Sequence, residues 1–191
     1  MSDSQDHSIV LMGLKHCGKT THGKLLAERL EVDFFDTDQI IEETVGKSVR
    51  LLYKTKGVSE FMQEEEKACE KIIKENEGKR IVVSTGGGIC DNPPALTILR
   101  ELNTLVFLRL DITFSIERVM SKISMEKPGK FINIPAYVEA ENPKKLSDVR
   151  DIMMKKYQER YQHYESIADE VIDIKNAPID ENFKLICEAL I

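Results

Sequence analysis

Short apolar runs alternate with longer stretches of helical periodicity along most of the chain. The first run, Ser-Ile-Val-Leu-Met at residues 8–12, has the apolar, β-branched character expected of a buried strand. Runs of this kind predict strands over residues 8–12, 32–35, 81–85, 104–108 and 171–174. Apolar positions at helical spacing predict helices over residues 19–30, 39–45, 49–54, 59–76, 94–102, 113–122, 144–164 and 180–190. Strands separated by crossover helices predict a three-layer α/β fold, in which helices cover both faces of a parallel sheet.

Residues 123–143 fit neither pattern. They contain three prolines and one glycine, and they form a long connection for a compact domain. We therefore expect an irregular, mobile lid at this place rather than a linker between domains. The whole chain, residues 1–191, is then expected to be one domain that buries a sheet between two layers of helices.

The composition narrows the class of protein. Of the 191 residues, 41% are hydrophobic and 31% are charged, which is typical of a globular protein and argues against disorder. The net charge is −6 and no basic run is present, so nothing suggests binding to nucleic acid or to an anionic membrane. No apolar run approaches the length of a membrane span, and the polar start of the chain is unlike a signal peptide. We expect a cytoplasmic, monomeric protein whose partner is a small molecule.

The segment Gly-Leu-Lys-His-Cys-Gly-Lys-Thr at residues 13–20 matches the P-loop pattern. It follows the first predicted strand and opens the first predicted helix, so a chance glycine-rich turn is the weaker interpretation. Its glycines allow successive N–H groups to converge on phosphate oxygens at the helix N-terminus. Lys19 would reach the β- and γ-phosphates, and the Thr20 hydroxyl would bind Mg²⁺. The predicted nucleotide-binding residues of this segment are Gly13, Leu14, Lys15, His16, Cys17, Gly18, Lys19, Thr20 and Thr21.

Two carboxylates, Asp36 and Asp38, follow the second predicted strand. The carboxyl ends of parallel strands border the crevice in which such sheets bind ligands. Phosphoryl transfer needs one group at the Mg²⁺ ion and another that orients or deprotonates the attacking hydroxyl, and this pair can fill both roles. The alternative is that Asp38 only caps the helix predicted to begin at residue 39.

Three consecutive glycines, Gly86, Gly87 and Gly88, follow the strand predicted to end at residue 85. Because they have no side chains, they would offer free backbone N–H groups to a substrate and leave room for it. A flexible turn is the alternative, but the position at the end of a strand favours a wall of the binding site.

The order of these motifs resembles that of the shikimate kinases. Along nearly the whole chain the order is the P-loop, Asp-Thr-Asp at residues 36–38, the segment 46–50, Phe61 with Glu65, the triple glycine, Arg118 and Arg160. The resemblance implies the fold of P-loop nucleoside monophosphate kinases, with a five-stranded parallel sheet, a substrate-binding helical segment at residues 39–77 and a lid at residues 123–143. It also implies an ATP- and Mg²⁺-dependent kinase of aromatic amino acid biosynthesis. Such an enzyme transfers the γ-phosphoryl group to a hydroxyl of shikimate or a similar hydroxylated acid.

The same resemblance implies roles for individual residues. Asp38 would hydrogen-bond the acceptor hydroxyls and serve as base, while Asp36 would act at the Mg²⁺ ion. Residues 86–88 would line the substrate site. Arg118 would lie against the adenine, and Arg160 would bind the carboxylate of the acceptor.

The chain also departs from the family pattern. Met62 stands in the substrate site where the family has a second carboxylate-binding arginine, and Lys127 is the nearest candidate for the arginine of the family's lid. Lysine does not replace a bidentate arginine. Two other interpretations therefore stay open. One is a kinase for a different acceptor, such as a sugar acid, a polyol or a nucleotide, and the other is a catalytically weakened nucleotide-binding protein that acts through a partner.

Overall fold

The computed structural model describes residues 7–191 and contains seven strands and eight α-helices within them. The strands are β1 (Ser8–Met12), β2 (Asp33–Asp36), β3 (Ile81–Ser84), β4 (Asn103–Leu110), β5 (Ser124–Lys127), β6 (Lys130–Ile132) and β7 (Glu170–Ile174). The helices are α1 (Lys19–Leu30), α2 (Thr37–Val45), α3 (Val49–Glu75), α4 (Pro93–Arg100), α5 (Ile112–Met120), α6 (Ala136–Glu139), α7 (Leu146–Ile167) and α8 (Ile179–Leu190). Within the described residues, none of these helices combines the length and the apolar character needed to cross a membrane.

Five strands form the central sheet in the order β2-β3-β1-β4-β7, which confirms the predicted fold class. All neighbouring pairs are parallel, so the five carboxyl ends lie at one edge of the sheet. β1 lies between β3 and β4 and is buried along its whole length, which explains its uninterrupted apolar sequence. The chain crosses from each of these strands to the next through helices, as parallel connections require.

The helices pack on the sheet in two apolar clusters, one on each face. Val10 and Phe107 belong to the cluster beneath α4 and α7, whereas Leu11 belongs to the other cluster, together with Leu26 of α1 and Ile186 of α8. Neighbouring residues of β1 therefore point to opposite faces, as the pleat of a strand dictates. Full burial of each such side chain stabilises the fold by about 1.5–3 kcal/mol.

The predicted helices lie where the sequence indicates, but side-chain caps move their ends. α2 begins at Thr37 rather than at residue 39 because the Asp36 side chain accepts hydrogen bonds from the backbone N–H groups of Asp38 and Gln39. α7 begins only at Leu146. These local contacts decide helix ends more strongly than apolar spacing does.

Residues 49–54 and 59–76, predicted as two helices, are the two halves of α3. They meet at a kink at Gly57, whose φ of 85° and ψ of 178° are not helical. A residue with a side chain rarely adopts such a φ, so glycine is what permits the kink. Beyond it, Phe61 and Glu65 lie four residues apart on one side of the helix, and Glu65 is buried.

The prediction of an irregular segment over residues 123–143 is wrong. β5 and β6 pair as an antiparallel hairpin, and the short helix α6 follows them. Pro128 and Gly129, which suggested irregular chain, instead form the two-residue turn of this hairpin, with Gly129 at a φ of 76°. The hairpin is largely exposed, and its short strands lack the clear apolar alternation that would have predicted it.

Candidate active site

A cavity of about 920 Å³ opens at the carboxyl ends of β1, β2 and β3. This volume is typical of small-molecule sites. The P-loop, the start of α2, the triple glycine, α5 and α7 all contribute to its walls. The predicted site residues that line it are Lys15, His16, Cys17, Gly18, Lys19, Thr20, Thr21, Asp36, Asp38, Gly86, Gly87, Gly88, Arg118 and Arg160.

The backbone of the P-loop depends on residues in unusual conformations. Gly13 has a φ of 146°, and a Cβ there would lie 2.7 Å from the carbonyl oxygen of Leu108, so only glycine fits. Gly18 has a φ of 99° and ends the loop where α1 begins. The backbone of His16 also adopts a left-handed conformation, with a φ of 65°, which is uncommon for a residue with a side chain. The loop is therefore held in a shape that its sequence would not adopt without the surrounding fold.

Lys19 is buried and folds back onto the P-loop. Its Nζ donates to the carbonyl oxygens of Gly13 at 3.0 Å and of Leu14 at 3.1 Å. Gly13 and Leu14 were predicted to bind the nucleotide, but they are not among the residues that line the cavity. Backbone carbonyls are neutral, so the positive charge of the ammonium group stays available to phosphate oxygens.

Thr20 and Asp36 lie together at the end of β2. The Thr20 hydroxyl donates to Asp36 Oδ2 at 2.8 Å, while Asp36 Oδ1 accepts from the N–H of Asp38 at 3.0 Å. Asp36 is thus the cap of α2, and the alternative that Asp38 is merely a helix cap is wrong. Hydroxyl and carboxylate oxygens suit Mg²⁺, which commonly takes only one or two protein ligands beside substrate phosphates and water. These two residues fit such an ion.

Asp38 is a half-buried carboxylate on the wall of the cavity. A Cβ on Gly86 would lie 2.8 Å from Asp38 Oδ1, so the side chain rests directly on the glycine backbone. Burial is the main cause that raises the pKa of Asp38 to about 6, and the negative charge of Asp36 adds to it, while Lys19 and Lys15 oppose the shift. A carboxyl group with this pKa is a better proton acceptor than an ordinary aspartate, and it still ionises near neutral pH.

The triple glycine lets two walls of the cavity approach closely. A Cβ on Gly87 would lie 3.0 Å from the backbone nitrogen of Lys15, so a side chain there would push the P-loop away. The expectation that the N–H groups of these glycines are free is wrong for Gly86, which donates to the Thr37 hydroxyl at 3.1 Å. That bond anchors the glycine segment to the start of α2.

Arg160 of α7 is held by a network that the sequence did not indicate. Its Nε and Nη2 donate to Asp91 Oδ2 at 3.0 and 2.9 Å, and its Nη1 donates to the carbonyl oxygen of Gly87 at 3.1 Å. Its guanidinium lies over the Tyr137 ring, 5.1 Å from the centroid. Lys156 Nζ lies 3.1 Å from the same Asp91 oxygen. Although burial opposes the effect, these two cations hold the pKa of Asp91 below its usual range.

Besides Gly13 and Leu14, two more predicted site residues, Met62 and Lys127, lie off the cavity wall, and those predictions are corrected. Met62 follows Phe61 on α3, and successive helical residues point about 100° apart. Phe61 therefore lines the cavity, whereas Met62 does not, and the Met62 carbonyl accepts from Asn92 Nδ2 at 2.9 Å. Lys127 is exposed on β5 and does not reach the cavity wall either.

Glu65 is buried beside this region and was not assigned a role from the sequence. Its Oε2 accepts from Asn92 Nδ2 at 2.9 Å, but among the described residues Oε1 has no hydrogen-bond partner. A Cβ on Gly86 would lie 3.2 Å from that oxygen, so Glu65 and Asp38 flank the same glycine. Burial raises the pKa of Glu65 to about 7, against the opposing hydrogen bond from Asn92.

Cations surround the mouth of the cavity. Arg118 lines it and donates to the carbonyl oxygen of His16 at 2.8 Å and to Asn176 Oδ1 at 2.9 Å. Lys122 Nζ lies 3.5 Å from His16 Nε2. Burial, followed by the charge of Lys122, lowers the pKa of His16 to about 4, so this imidazole is neutral at physiological pH. Arg50 also lines the cavity, although the sequence analysis did not assign it to the site. The one signal in the sequence is its spacing of three residues from Tyr53, which also lines the cavity.

Comparisons with known proteins show the family of the chain. A family model described as shikimate kinase matches residues 15–191. A shikimate kinase of Caldanaerobacter subterraneus subsp. tengcongensis is 32% identical over 174 residues, which cover 91% of this chain and 90% of that protein. A shikimate kinase of Lactococcus lactis subsp. cremoris is 28% identical over 95% of this chain and 96% of its own.

Solved structures are similar over almost the whole chain. A shikimate kinase from Acinetobacter baumannii in complex with shikimate superposes with a TM-score of 0.74 at 24% identity, covering 97% of this chain and 93% of that one. A shikimate kinase from Aquifex aeolicus gives a TM-score of 0.68 at 25% identity, with 95% and 94% covered. The overall fold is therefore the one that these solved structures have.

Replacing Asp38 by asparagine tests whether this carboxylate accepts a proton. Asp38→Asn keeps the shape but removes the base, so we expect kcat to fall by about 10²–10⁴-fold. The pKa of Asp38 is about 6 in the folded protein, whereas that of an aspartate in an unfolded chain is about 3.9. Ionisation of Asp38 therefore lowers the stability of the fold progressively between these two pH values, and the full cost is present above about pH 6. Thermal unfolding should therefore show a stabilised variant at about pH 8 and no gain below about pH 4.

The matched control is Asp33→Asn, which removes an exposed carboxylate from the start of β2, outside the cavity. It should change neither kcat nor the dependence of stability on pH. A kcat for Asp38→Asn within about twofold of wild type, far short of the general-base range, would contradict a catalytic role.

Proposed function

The chain belongs to the shikimate kinase family and is an ATP-dependent kinase that phosphorylates a hydroxyl group, and we propose that the cavity described above is its active site. Its acceptor is shikimate or a similar hydroxylated carboxylic acid. One observation carries the proposal: the P-loop and Asp38 line a single cavity, so a phosphoryl donor and a hydroxyl acceptor bound there would lie side by side. Phosphoryl transfer depends almost entirely on such positioning and on charge neutralisation.

At the nucleotide end, Lys19 and the P-loop backbone would bind the phosphates of ATP. Thr20 and Asp36 would hold Mg²⁺, which neutralises phosphate charge when it is bound. Arg118 would lie against the adenine, which its place on the cavity wall beside the carbonyl of His16 supports. The left-handed backbone at His16 helps to aim the loop at the phosphates.

At the acceptor end, Asp38 would take the proton of the attacking hydroxyl. The hydroxyl oxygen then bonds to the γ-phosphorus, the bond between that phosphorus and the bridging oxygen breaks, and ADP leaves. The pKa of about 6 suits Asp38 to this role, because the group is mostly ionised before the reaction and accepts a proton more readily than an exposed aspartate would. Residues 86–88 and Arg160 would form the wall against which the acceptor lies.

Residues 39–77 would form the substrate-binding segment of the single domain, and residues 123–143 its lid. The lid is supported by contacts at its far end, since Asn133 and Ile134 line the cavity, Arg50 Nη1 donates to Asn133 Oδ1 at 3.4 Å, and Lys54 pairs with Glu139 at 2.8 Å. Both contacts tie the lid to α3. The cytoplasmic location and the monomeric state stay predictions of the sequence.

Hydrogen exchange tests the lid. A two-stranded hairpin with little burial is marginally stable alone, so amides of β5 and β6 should exchange much faster than those of β1 in the free protein. Adding Mg-ADP together with shikimate should slow exchange in the hairpin and leave β1 unchanged. Full protection of the hairpin before any ligand is added would contradict a lid that closes on substrate.

The absence of an arginine at residue 62 predicts weak use of shikimate. Met62 itself lies outside the cavity, but the longer side chain of Met62→Arg would extend from the residue next to Phe61, which lines it, and would bring a cation towards the acceptor. We expect kcat/KM for shikimate to rise about tenfold, the lower end of the effect of a hydrogen bond to a charged group. Steady-state kinetics with saturating Mg-ATP measures it.

Gln63→Arg is the control, because it adds the same charge on the exposed side of α3 and should leave kcat/KM unchanged. If the wild-type protein already has a KM for shikimate of about 1 μM, near the low end for enzymes, the missing arginine does not limit this substrate.

A further inference from the structure

The end of α5 contacts the P-loop through two cations. Arg118 Nη1 donates to the carbonyl oxygen of His16 at 2.8 Å, and Lys122 Nζ lies 3.5 Å from His16 Nε2. All three residues line the cavity. The next residue, Ile123, is buried in the apolar cluster beneath α4 and α7, so the chain is anchored where the lid begins. The Lys122 ammonium group is therefore carried to the P-loop by a fixed piece of chain.

The His16 imidazole orients Lys122 without neutralising it. Burial, followed by the charge of Lys122, lowers the pKa of His16 to about 4, so the ring is neutral at physiological pH. A neutral imidazole with its proton on Nδ1 accepts a hydrogen bond at Nε2, which is the atom that faces Lys122. This contact directs the ammonium group and leaves its positive charge available to an anion in the cavity.

The lid holds Lys122 from the other side. Asn133 Nδ2 donates to the carbonyl oxygen of Lys122 at 3.2 Å, and Asn133 Oδ1 accepts from Arg50 Nη1 at 3.4 Å. Asn133 and Arg50 line the cavity as well. The main chain of Lys122 is thus held by the lid and its side chain by the P-loop, at the point where the lid, α3 and the P-loop meet.

Residues 15 and 16 of the P-loop connect Lys122 with the proposed base. Lys15 rests on Gly87, where a Cβ would lie 3.0 Å from the Lys15 backbone nitrogen, and Asp38 rests on the neighbouring glycine. The charges of both Asp38 and Lys122 act on the Lys15 ammonium, the first raising its pKa and the second lowering it. A phosphoryl group that passes from the P-loop to a hydroxyl at Asp38 therefore lies close to Lys122. Its outer oxygens share the negative charge of the transition state.

Resting on the proposed function, we propose that Lys122 donates a hydrogen bond to the outer oxygens of the transferred phosphoryl group, and that His16 is the positioning residue that directs it there. The ammonium group stabilises the transition state because it is already aimed at the place where the charge is carried. The cation comes from the end of α5 rather than from the exposed hairpin, on which Lys127 does not reach the cavity wall.

Binding of two nucleotides tests the contact without any acceptor. Mg-ADP lacks the γ-phosphate, whereas the non-hydrolysable β,γ-imido analogue of ATP carries it. By calorimetric titration, Lys122→Met should bind Mg-ADP within about twofold of wild type but the analogue about tenfold more weakly, the lower end for a hydrogen bond to a charged group. Lys122→Arg keeps the charge and should restore most of the affinity for the analogue. Lys155→Met removes an exposed lysine of α7 outside the cavity, so it should bind both nucleotides as wild type does.

A double-mutant cycle on kcat tests the role of His16. With Mg-ATP and shikimate saturating, kcat of Lys122→Met should fall about 10- to 100-fold, as expected for the loss of a hydrogen bond to a charged group. His16→Asn keeps a residue that tolerates the left-handed backbone but removes the imidazole, so it should lower kcat as well. In the Lys122→Met background, His16→Asn should cause no further loss, because residues that act through one contact are not additive.

The outcomes separate the inference from the proposed function. A folded Lys122→Met protein that binds the imido analogue as tightly as wild type, or that keeps its kcat, would overturn the inference. Equal weakening of Mg-ADP and of the analogue would also overturn it, because Lys122 would then contact the other phosphates. Additive losses in the cycle would overturn the role given to His16. A wild-type protein that binds both nucleotides but does not phosphorylate shikimate would overturn the proposed acceptor, while the comparison of the two nucleotides would still decide the inference.

Discussion

The rest of the site depends on how closely its parts can approach the three glycines that end β3. A Cβ on the first would lie 2.8 Å from Asp38 Oδ1, on the second 3.0 Å from the backbone nitrogen of Lys15, and on the third 2.8 Å from Arg160 Nη2. Real Cβ atoms essentially never lie 2.8 Å from another atom, and a separation of 3.0 Å is tighter than most real Cβ contacts. The base, the P-loop and the arginine of α7 therefore converge only because residues 86–88 have no side chains, and this convergence places a phosphoryl donor next to an acceptor.

The charges gathered there are costly to the fold. Burial raises the pKa of both Asp38 and Glu65, to about 6 and about 7, which means that the folded protein disfavours their ionised forms. Above those values both groups reduce stability, since the unfolded chain ionises without this cost. A base that is more reactive than an exposed carboxylate is thus obtained at the expense of stability, a common compromise in active sites. The Asp91–Arg160 pair shows the opposite arrangement, because there a buried charge is compensated within the protein.

The sequence predicted the sheet well and the site only in part. Strands such as β1 were found because burial on both faces demands continuous apolar sequence, and the P-loop and triple glycine were found because their backbone shapes require glycine. The hairpin at residues 123–143 was missed because its exposed strands carry no apolar alternation. Asp91 was missed for another reason: its partner Arg160 is 69 residues away, and no local pattern reports such a contact. Met62 was misplaced because a resemblance gives a position in a motif but not the direction of a side chain.

The most direct test of the central role of the glycine segment is the activity of Gly87→Ala. The φ of Gly87 lies outside the left-handed region, so alanine suits the backbone, and the added Cβ would meet the main chain of Lys15, which no rotamer change can relieve. We predict that the variant folds with a cooperative thermal transition but that its kcat/KM falls about tenfold. The loss is smaller than the roughly 100-fold that a displacement of about 1 Å costs, because the P-loop has to move by only a few tenths of an ångström. A Gly87→Ala protein with kcat/KM within about twofold of wild type would contradict the claim that this close approach positions the reaction.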